Sequence, residues 1–434
     1  MDPVTVALIG LVIMFALMIL GMPIAFAMLL AGVLGNAYLL SIQASTHLLS
    51  TNVWSQFSSY SLSVIPLFVL MGQFAYRAGV TERLYQAAYT WFGRLPGGLA
   101  GTTVFASAGF SAICGSNSAT TATMGTIALP EMRRYGYHPT LSSGAVAIGG
   151  TLGIVIPPSV VMIVIAMQTE QSLLELFLAG IIPGALLTGL FLLTILFLCL
   201  RNAELGPVGP KTSWQQKLAS LSGLIETLIL FSLVIGGLYF GFFTPTEAGA
   251  AGAFGALLVG LVRRKLSLKG IVQSLVETLR ISAMVMLLMT GAVLFGRFLT
   301  VSRLPFELAD WAASLPVEPA AILIVVLLIY LLGGALMDAL GFLVVTIPIF
   351  FPLAAALGYD PVWFTIILTI VTTMGAITPP VGVNVFIVNG LAPDIPVRTI
   401  FRGVSYFLIA YVICIGLMWV FPQTVLYLPG AMLG

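Results

Sequence analysis

Gly-Ile-Val-Ile-Pro-Pro occupies residues 153–158, and the related stretch Gly-Ala-Ile-Thr-Pro-Pro occupies residues 375–380, 222 positions later. Consecutive prolines lack backbone N–H donors and therefore interrupt a helix. The same offset of 222 relates three further pairs of residues: Pro23 and Pro245, Ser116 and Asp338, Pro130 and Pro352. A membrane chain built as two copies, each broken at the same place, is typical of a secondary transporter with a site at the membrane midplane.

The composition assigns the chain to the membrane class. Only 7% of its 434 residues are charged, 59% are hydrophobic, and the mean hydropathy is +1.11. These values predict a polytopic membrane protein, and the net charge of +2 predicts no nucleic-acid partner. Cys114, Cys199 and Cys414 lie in apolar segments and are interpreted as small buried residues. The first apolar run lacks the features of a cleaved signal and is interpreted as a retained helix.

Nothing in the sequence indicates an enzyme. The chain has no phosphate-binding motif that would support ATP hydrolysis. His47 and His138 lie in polar segments, far along the sequence from a Cys or Ser that would need a base. We therefore expect a transport function that does not use ATP hydrolysis by this chain.

Hydropathy identifies ten runs of membrane-crossing length and two broken ones. The continuous runs lie near 4–20, 24–41, 62–76, 140–169, 176–200, 218–241, 248–262, 281–299, 363–389 and 403–421. The two broken stretches, 96–130 and 319–357, are interrupted at 112–118 and 333–338. Each broken stretch is either two full crossings or a re-entrant hairpin that enters and leaves on one side.

Charge placement favours the hairpins. If both stretches are re-entrant, fifteen of the seventeen basic residues fall on one side: Arg77, Arg83, Arg94, Arg133, Arg134, Arg201, Lys211, Lys217, Arg263, Arg264, Lys265, Lys269, Arg280, Arg398 and Arg402. The positive-inside rule then makes that side cytoplasmic and both termini periplasmic. Each half crosses the membrane five times, which is an odd number, so the two halves are predicted to be inverted.

The predicted fold class is therefore an all-α polytopic membrane protein, an inverted repeat of five transmembrane helices plus one re-entrant hairpin per half. Residues 1–200 form the first repeat, 201–217 a polar cytoplasmic linker, and 218–434 the second repeat. Segments 43–60 and 266–280 are too polar to span, and we expect interfacial amphipathic helices there. The alternative for these two segments is ordinary surface loops.

The first hairpin tip is a candidate cation site. It carries a dense group of uncharged oxygen-bearing side chains: Ser116, Asn117, Ser118, Thr120 and Thr121. The partner break at 153–158 is expected to leave carbonyls, such as those of Gly153 and Ile156, without helical partners. Neutral oxygens of both kinds suit a hard monovalent cation. The alternative is a proline-kinked helix packed against a Ser/Thr-mediated contact.

The second hairpin tip adds a carboxylate. Asp338 lies at membrane depth, where an unpaired charge is costly. Gly375, Ile377 and Thr378 precede the facing Pro-Pro break. This arrangement predicts a cation site or a proton carrier; a structural ion pair is the alternative, but no Lys or Arg is expected at that depth. Helix N-termini at tips and breaks favour an anionic, carboxylate-bearing substrate.

Five other polar residues have open interpretations: Glu226, Glu247, Arg297, Asn384 and Asn389. Glu226 faces a partner or solvent, and Glu247 is expected to interact with a helix N-terminus. Arg297 is expected to extend to the membrane surface. Asn384 and Asn389 either reach a ligand or join helices by hydrogen bonds.

The chain resembles a known family along its whole length. The residues that carry the likeness lie at 21–26, 65–68, 111–120, 149–159 and 377–382. Together they are similar to the large membrane subunit of TRAP (tripartite ATP-independent periplasmic) transporters. The resemblance implies a Na⁺-coupled elevator transporter for organic-acid anions in the bacterial inner membrane. It also implies two partners, a small membrane subunit on a separate chain and a periplasmic substrate-binding protein.

The resemblance further implies two Na⁺ sites. The first would use Ser116, Asn117, Gly153, Ile156 and Pro158; the second would use Gly334, Asp338, Gly375, Ile377 and Thr378. The candidate substrate-binding residues are Ser118, Thr120 and Asn384. The residues alone leave Na⁺ and H⁺ open as coupling ions. C4-dicarboxylates, sugar acids, keto acids and sulfonates are all open as substrates.

Three rival functions remain at the level of sequence. A stand-alone ion-coupled carboxylate symporter of similar architecture would need no binding protein. A cation channel would conduct without substrate. A pure scaffold role would give Asp338 and the Ser/Asn cluster no purpose. In the favoured interpretation, a scaffold near 1–60 and 218–280 supports a moving domain built from both hairpins and both broken helices.

Overall fold

The computed structural model describes residues 1–209 and 212–433; Lys211, predicted in the cytoplasmic linker, lies outside the described residues. The described ranges form helices and contain no β-strand, which confirms the all-α prediction. Several helices are long and apolar enough to cross a membrane.

The helices of the first half follow the broken pattern of the sequence. They are α1 (Pro3–Ile19), α2 (Ile24–Leu39), α3 (Ile42–Ser58), α4 (Val64–Arg77), α5 (Val80–Phe92), α6 (Gly98–Cys114), α7 (Asn117–Arg134), α8 (Pro139–Val155), α9 (Val160–Thr169) and α10 (Leu173–Arg201).

The second half repeats this order. Its helices are α11 (Trp214–Tyr239), α12 (Pro245–Val262), α13 (Leu268–Val301), α14 (Leu304–Ser314), α15 (Pro319–Leu336), α16 (Ala339–Ala356), α17 (Pro361–Gly375), α18 (Val383–Leu391), α19 (Val397–Val420) and α20 (Gln423–Leu433). The offset of 222 relates α5 to α14, α6 to α15, α7 to α16, α8 to α17 and α9 to α18, within a few residues at each end.

Two helical hairpins form where the broken stretches were predicted. Helix α6 ends at Gly115, whose positive φ of 63° suits glycine, and Ser116 caps the start of α7. Helix α15 ends before Met337, and Asp338 caps the start of α16. Helices α6 and α7 pack together, as do α15 and α16, and the turn of each hairpin lies at the predicted polar tip. Helices α15 and α16 are each long and apolar enough to cross a membrane, so the re-entrance of each hairpin and the side from which it enters stay predictions.

The two halves contact each other reciprocally. Helix α2 of the first half packs against α13 of the second half. Helix α12, which corresponds to α2 in the repeat, packs against α4 of the first half. Helix α9 packs against α16, and its counterpart α18 packs against α7. Such exchanged contacts are those expected of two copies related by an approximate two-fold axis. The domain bounds and the inverted orientation stay predictions.

One predicted pair of segments differs from the structure. Segment 266–280 and the span 281–299 form a single helix, α13, rather than an interfacial helix followed by a crossing. In the first half, α3 instead meets the helical segment Tyr60–Arg77 at 53°. Ser59, which lies at this bend, has extended backbone angles, and serine competes with helix by bonding to nearby backbone. The equivalent position in α13 is the apolar Ile281, so nothing interrupts that helix. Both segments are helical, which excludes the surface-loop alternative.

Helices α2 and α13 approach closely because small residues line their contact. A Cβ on Gly32 would lie 2.8 Å from the backbone nitrogen of Phe295. The buried Asn36 side chain donates from Nδ2 to the carbonyls of Gly32 (2.8 Å) and Leu294 (3.2 Å). Small residues and polar side chains are the usual means of joining helices in a membrane. These contacts tie the first half of the chain to the second.

Replacing Asn36 by leucine is therefore expected to destabilise this helix pair. The variant loses the bond to Leu294 and retains a side chain of similar size, at a cost of about 1 kcal/mol. Thermal unfolding of the detergent-solubilised protein should show a lower Tm. The matched control is Asn52→Leu, because the Asn52 amide donates to Leu48 within its own helix. Equal Tm values for the two variants would contradict a role in joining the halves.

Candidate functional site

The first hairpin tip rests directly on the first break, backbone against backbone. The carbonyl of Gly115 accepts a hydrogen bond from Val160 N (3.3 Å) at the start of α9. A Cβ on Gly153 would lie 2.4 Å from the carbonyl oxygen of Ser116, and a Cβ on Gly115 would lie 2.8 Å from that of Pro158. Ile156 caps α8 at the break. Thus the structure brings the tip residues Ser116 and Asn117 against Gly153 and places Pro158 beside the tip; Ile156, the fifth residue predicted for the first Na⁺ site, lies at the end of α8.

The tip leaves a buried amide without a partner. Asn117 is only 5% exposed, and neither its Nδ2 nor its Oδ1 has a hydrogen-bond partner among the described residues. The buried Thr120 Oγ1 is also unpaired there. Buried polar groups normally have partners, and an unmade bond costs about 1–3 kcal/mol. Asn117 Oδ1 therefore fits a cation that prefers neutral oxygen ligands.

The second hairpin tip makes an equivalent contact with the second break. The Ala335 carbonyl accepts a hydrogen bond from Gly382 N (2.9 Å). A Cβ on Gly334 would lie 2.3 Å from the Thr372 carbonyl oxygen, and a Cβ on Gly375 would lie 2.4 Å from that of Leu331. Glycine at both positions is what permits this approach. Gly334 and Gly375 are thus brought together, as predicted for the second site.

Asp338 lies beside this contact and faces open space. Its Oδ2 accepts a hydrogen bond from Leu340 N (3.1 Å), so the carboxylate caps α16. In residues 1–209 and 212–433 it forms no ion pair. No hydrogen bond joins it to Gly375, Ile377 or Thr378, and the Thr378 hydroxyl donates to Met374 O (2.7 Å). The carboxylate is accessible rather than sealed against the second break.

A single cavity of about 490 Å³ receives both tips. Ser116, Asn117, Ser118 and Asp338 line its hairpin side. Helices α4 and α13 form the opposite wall, through Val69, Gly72, Gln73, Tyr76, Ile281, Met284 and Val285. A cavity shared by the tips of two hairpins and two helices of the rest of the chain can bind one small ligand in contact with both halves.

The α4 wall was not predicted as part of a site. Gln73 is the only polar side chain in residues 64–75. A lone polar residue in an apolar span is a functional signal in membrane proteins, and it would have identified Gln73. Cys114, interpreted as simply buried, is half-buried and lines the same cavity.

Two of the three candidate substrate-binding residues lie away from the cavity surface. Ser118 lines the cavity, whereas Thr120 is buried beneath the tip. Asn384 is 1% exposed and donates from Nδ2 to the Ala147 carbonyl (3.1 Å) on α8. Its side chain therefore joins α18 to α8, which is the helix-joining alternative raised for it.

The remaining polar residues have structural partners or face outwards. Glu226 pairs with Arg83 (2.9 Å) and with Arg263. Glu247 accepts a hydrogen bond from Thr244 N (2.8 Å) in a capping box, as expected. Asn389 donates to the Ile395 carbonyl (3.0 Å), and Arg297 is exposed. None of these side chains lines the cavity.

The comparisons with known proteins agree with one another. Residues 11–424 match the model of the family described as "Tripartite ATP-independent periplasmic transporter, DctM component". The chain is 36% identical to the C4-dicarboxylate TRAP transporter large permease protein DctM of Pseudomonas aeruginosa, over 89% of this chain and 90% of that protein. It is 32% identical to the sialic acid TRAP transporter large permease protein SiaM of Vibrio cholerae, over 96% and 97%.

A solved structure shares the fold at low sequence identity. The chain resembles the YdaH transporter of Alcanivorax borkumensis with a TM-score of 0.64 and 15% identity. The match covers 98% of this chain and 100% of that one. It supports a helical membrane-transporter architecture.

Proposed function

The chain belongs to the DctM component family of tripartite ATP-independent periplasmic transporters and is a large permease subunit of that class. On this basis, we propose that it carries an organic-acid anion across the bacterial inner membrane, driven by Na⁺. The observation that carries the proposal is the single cavity bounded by both hairpin tips and by α4 and α13. A ligand bound there contacts both a candidate moving part and a candidate fixed part.

We infer that Na⁺ is bound where each hairpin tip meets its break. Asn117 supplies a buried, unpartnered amide oxygen, and the carbonyl of Ser116 lies against Gly153. On the second side, Asp338 supplies a carboxylate that has no basic partner in the described ranges. Several neutral oxygens and one carboxylate suit a monovalent cation. Bound ions would order the tips and thereby shape the cavity for substrate.

The grouping of the helices supports an elevator movement. The pairs α2–α13 and α4–α12 join the halves through close contacts, and we assign them to the fixed scaffold. The first hairpin packs on α8 and α18, and the second packs on α17 and α9. We assign these four helices and both hairpins to the moving domain. The cavity lies on the boundary between the two groups. Sliding of one group along the other would expose the cavity to opposite sides in turn.

The assembly has two further parts in this proposal. A tripartite transporter needs a small membrane subunit, here expected on a separate chain, and a periplasmic protein that delivers the substrate. The carboxylate-bearing substrates in the relatives' names, C4-dicarboxylate and sialic acid, support an organic acid as cargo. They leave the individual acid to experiment.

Transport in proteoliposomes tests the proposal. The chain is reconstituted with a small TRAP membrane subunit and a binding protein of the same transport system, and uptake of radiolabelled organic acids is measured. Uptake should require an inward Na⁺ gradient, and a proton gradient alone should not replace it. Uptake at full rate by this chain alone would instead favour a stand-alone symporter. Ion conductance without substrate would favour a channel.

A further inference from the structure

The cavity contains an uncharged polar strip on both of its walls. Gln73 and Tyr76 lie three residues apart on α4, and Thr123 and Thr126 lie three residues apart on α7, so each pair shares one helix face. Gln73 is half-buried and its amide has no hydrogen-bond partner in residues 1–209 and 212–433, while Tyr76 is 39% exposed. Such side chains bind hydroxyl groups by donating and accepting hydrogen bonds.

The cavity offers one place for an anionic group. At the N-terminus of α7, Ser116 Oγ accepts a hydrogen bond from Ala119 N. The backbone N–H groups of Asn117 and Ser118 donate to no acceptor within residues 1–209 and 212–433. The Asn117 side chain, 5% exposed and unpartnered, lines the cavity beside them. Free N–H donors at a helix start favour an anion, and the buried amide adds a further donor.

The equivalent place on the second hairpin is already taken. Asp338 caps α16 with its own carboxylate, so the N-terminus of that helix faces a negative charge. No Lys or Arg among residues 1–209 and 212–433 lines the cavity. A second carboxylate on a ligand would therefore meet either neutral groups or Asp338, whose single charge already balances the Na⁺ proposed there, and no cationic side chain would offset it.

We propose that the substrate has a single anionic group and an uncharged tail that bears hydroxyl groups, and that Gln73 and Tyr76 determine specificity by binding this tail. The proposal rests on the proposed transport function and assigns its substrate class. The anionic group binds at Asn117 and Ser118, and the tail extends along the strip between α4 and α7. The cavity volume of about 490 Å³ falls within the range of about 300–1,000 Å³ that is typical of small-molecule sites.

Ligand-induced thermal stabilisation tests this assignment. The full chain is purified with its small subunit in lipid nanodiscs, and Tm is measured with Na⁺ and either gluconate, a polyhydroxy monoanion, or succinate, a compact dianion. Gluconate should raise Tm when Na⁺ is present, and succinate at equal concentration should raise it much less. Gln73→Leu should weaken the apparent gluconate affinity by about tenfold, the cost of about one buried hydrogen bond.

The controls separate this inference from the proposed function. Gln86→Leu alters an exposed glutamine of α5 outside the cavity and should leave both responses unchanged. Tyr76→Phe removes one hydroxyl and provides a second test if Gln73→Leu folds poorly. Na⁺ alone should stabilise wild type and variants equally, because neither residue lies at a tip. Equal or greater stabilisation by succinate, or none by gluconate, overturns the substrate class; loss of the Na⁺ response in wild type would overturn the coupling proposal instead.

Discussion

Asp338→Asn is expected to abolish Na⁺-dependent uptake while the protein still inserts and folds. Among residues 1–209 and 212–433, Asp338 is the only carboxylate that lines the cavity, and no basic side chain there forms an ion pair with it. Asparagine is as good a helix cap as aspartate, so the bond to Leu340 N survives and only the charge is lost. Loss of a contact to a charged group costs about 1.5–3 kcal/mol, or roughly 10- to 100-fold in ion affinity. Uptake that requires the ion should fall at least in proportion.

The matched control for this variant is Asp360→Asn. Asp360 also caps a helix, α17, by accepting from Trp363 N (2.9 Å), but it lies outside the cavity. The measurement is uptake as a function of Na⁺ concentration, with membrane insertion followed in parallel. Asp338→Ala should be equally inactive and also less stable by about 1 kcal/mol, because alanine cannot cap. An unchanged Na⁺ dependence in either Asp338 variant would remove the second ion site from the proposal.

Gly153→Ala is expected to displace the first hairpin tip and to reduce uptake strongly. The added Cβ would lie 2.4 Å from the carbonyl oxygen and 2.6 Å from the carbonyl carbon of Ser116. These are backbone atoms, which cannot rotate out of the way as a side chain can, so the tip itself must move. Overpacking of this kind costs about 1–3 kcal/mol. Movement of Ser116 and Asn117 would also separate the oxygens assigned to the first ion.

Two further variants serve as an equivalent change and as a control for Gly153→Ala. Gly375→Ala makes the equivalent change at the second break, where the Cβ would lie 2.4 Å from the Leu331 carbonyl oxygen, and should be similarly impaired. Gly189→Ala adds the same methyl group on α10, where nothing lies within 4 Å, and should retain normal uptake. Cysteine accessibility at position 118 would report whether the tip has moved. Normal uptake by both Gly153→Ala and Gly375→Ala would show that the close tip contacts are dispensable.

Local signals made much of the fold predictable. Paired prolines mark a break wherever they occur, and the polar tips at Ser116 and Asp338 mark hairpin turns, because such groups at membrane depth need a special environment. The continuity of α13 was not predictable from its polar segment 266–280. Whether a polar segment stays in line with the next span depends on what packs beside it, and here α2 and α4 both pack on α13.

The site was predicted less completely, since sequence position does not give side-chain direction. Gly153 and Gly375 lie against the hairpin tips, whereas no hydrogen bond joins Asp338 to Ile377 or Thr378. Asn384 points into the α8 interface and bonds to the Ala147 carbonyl. Gln73 faces the cavity from a helix that shares no sequence neighbourhood with the tips. Its place as the only polar residue in 64–75 is a sequence signal, but the structure is needed to show that α4 and α7 line the same cavity. The two Na⁺ sites themselves stay predictions.

The exchanged packing of α9 on α16 and of α18 on α7 has a consequence for biosynthesis. When the ribosome has released residues 1–200 into the bilayer, α9 and α2 have no α16 or α13 to cover them. The first half cannot complete its packing until the second half has been inserted, and until then lipid or the insertion machinery covers these helices. Maturation is thus concerted, and the two halves produced as separate polypeptides should become resistant to protease only when both are made in the same cell.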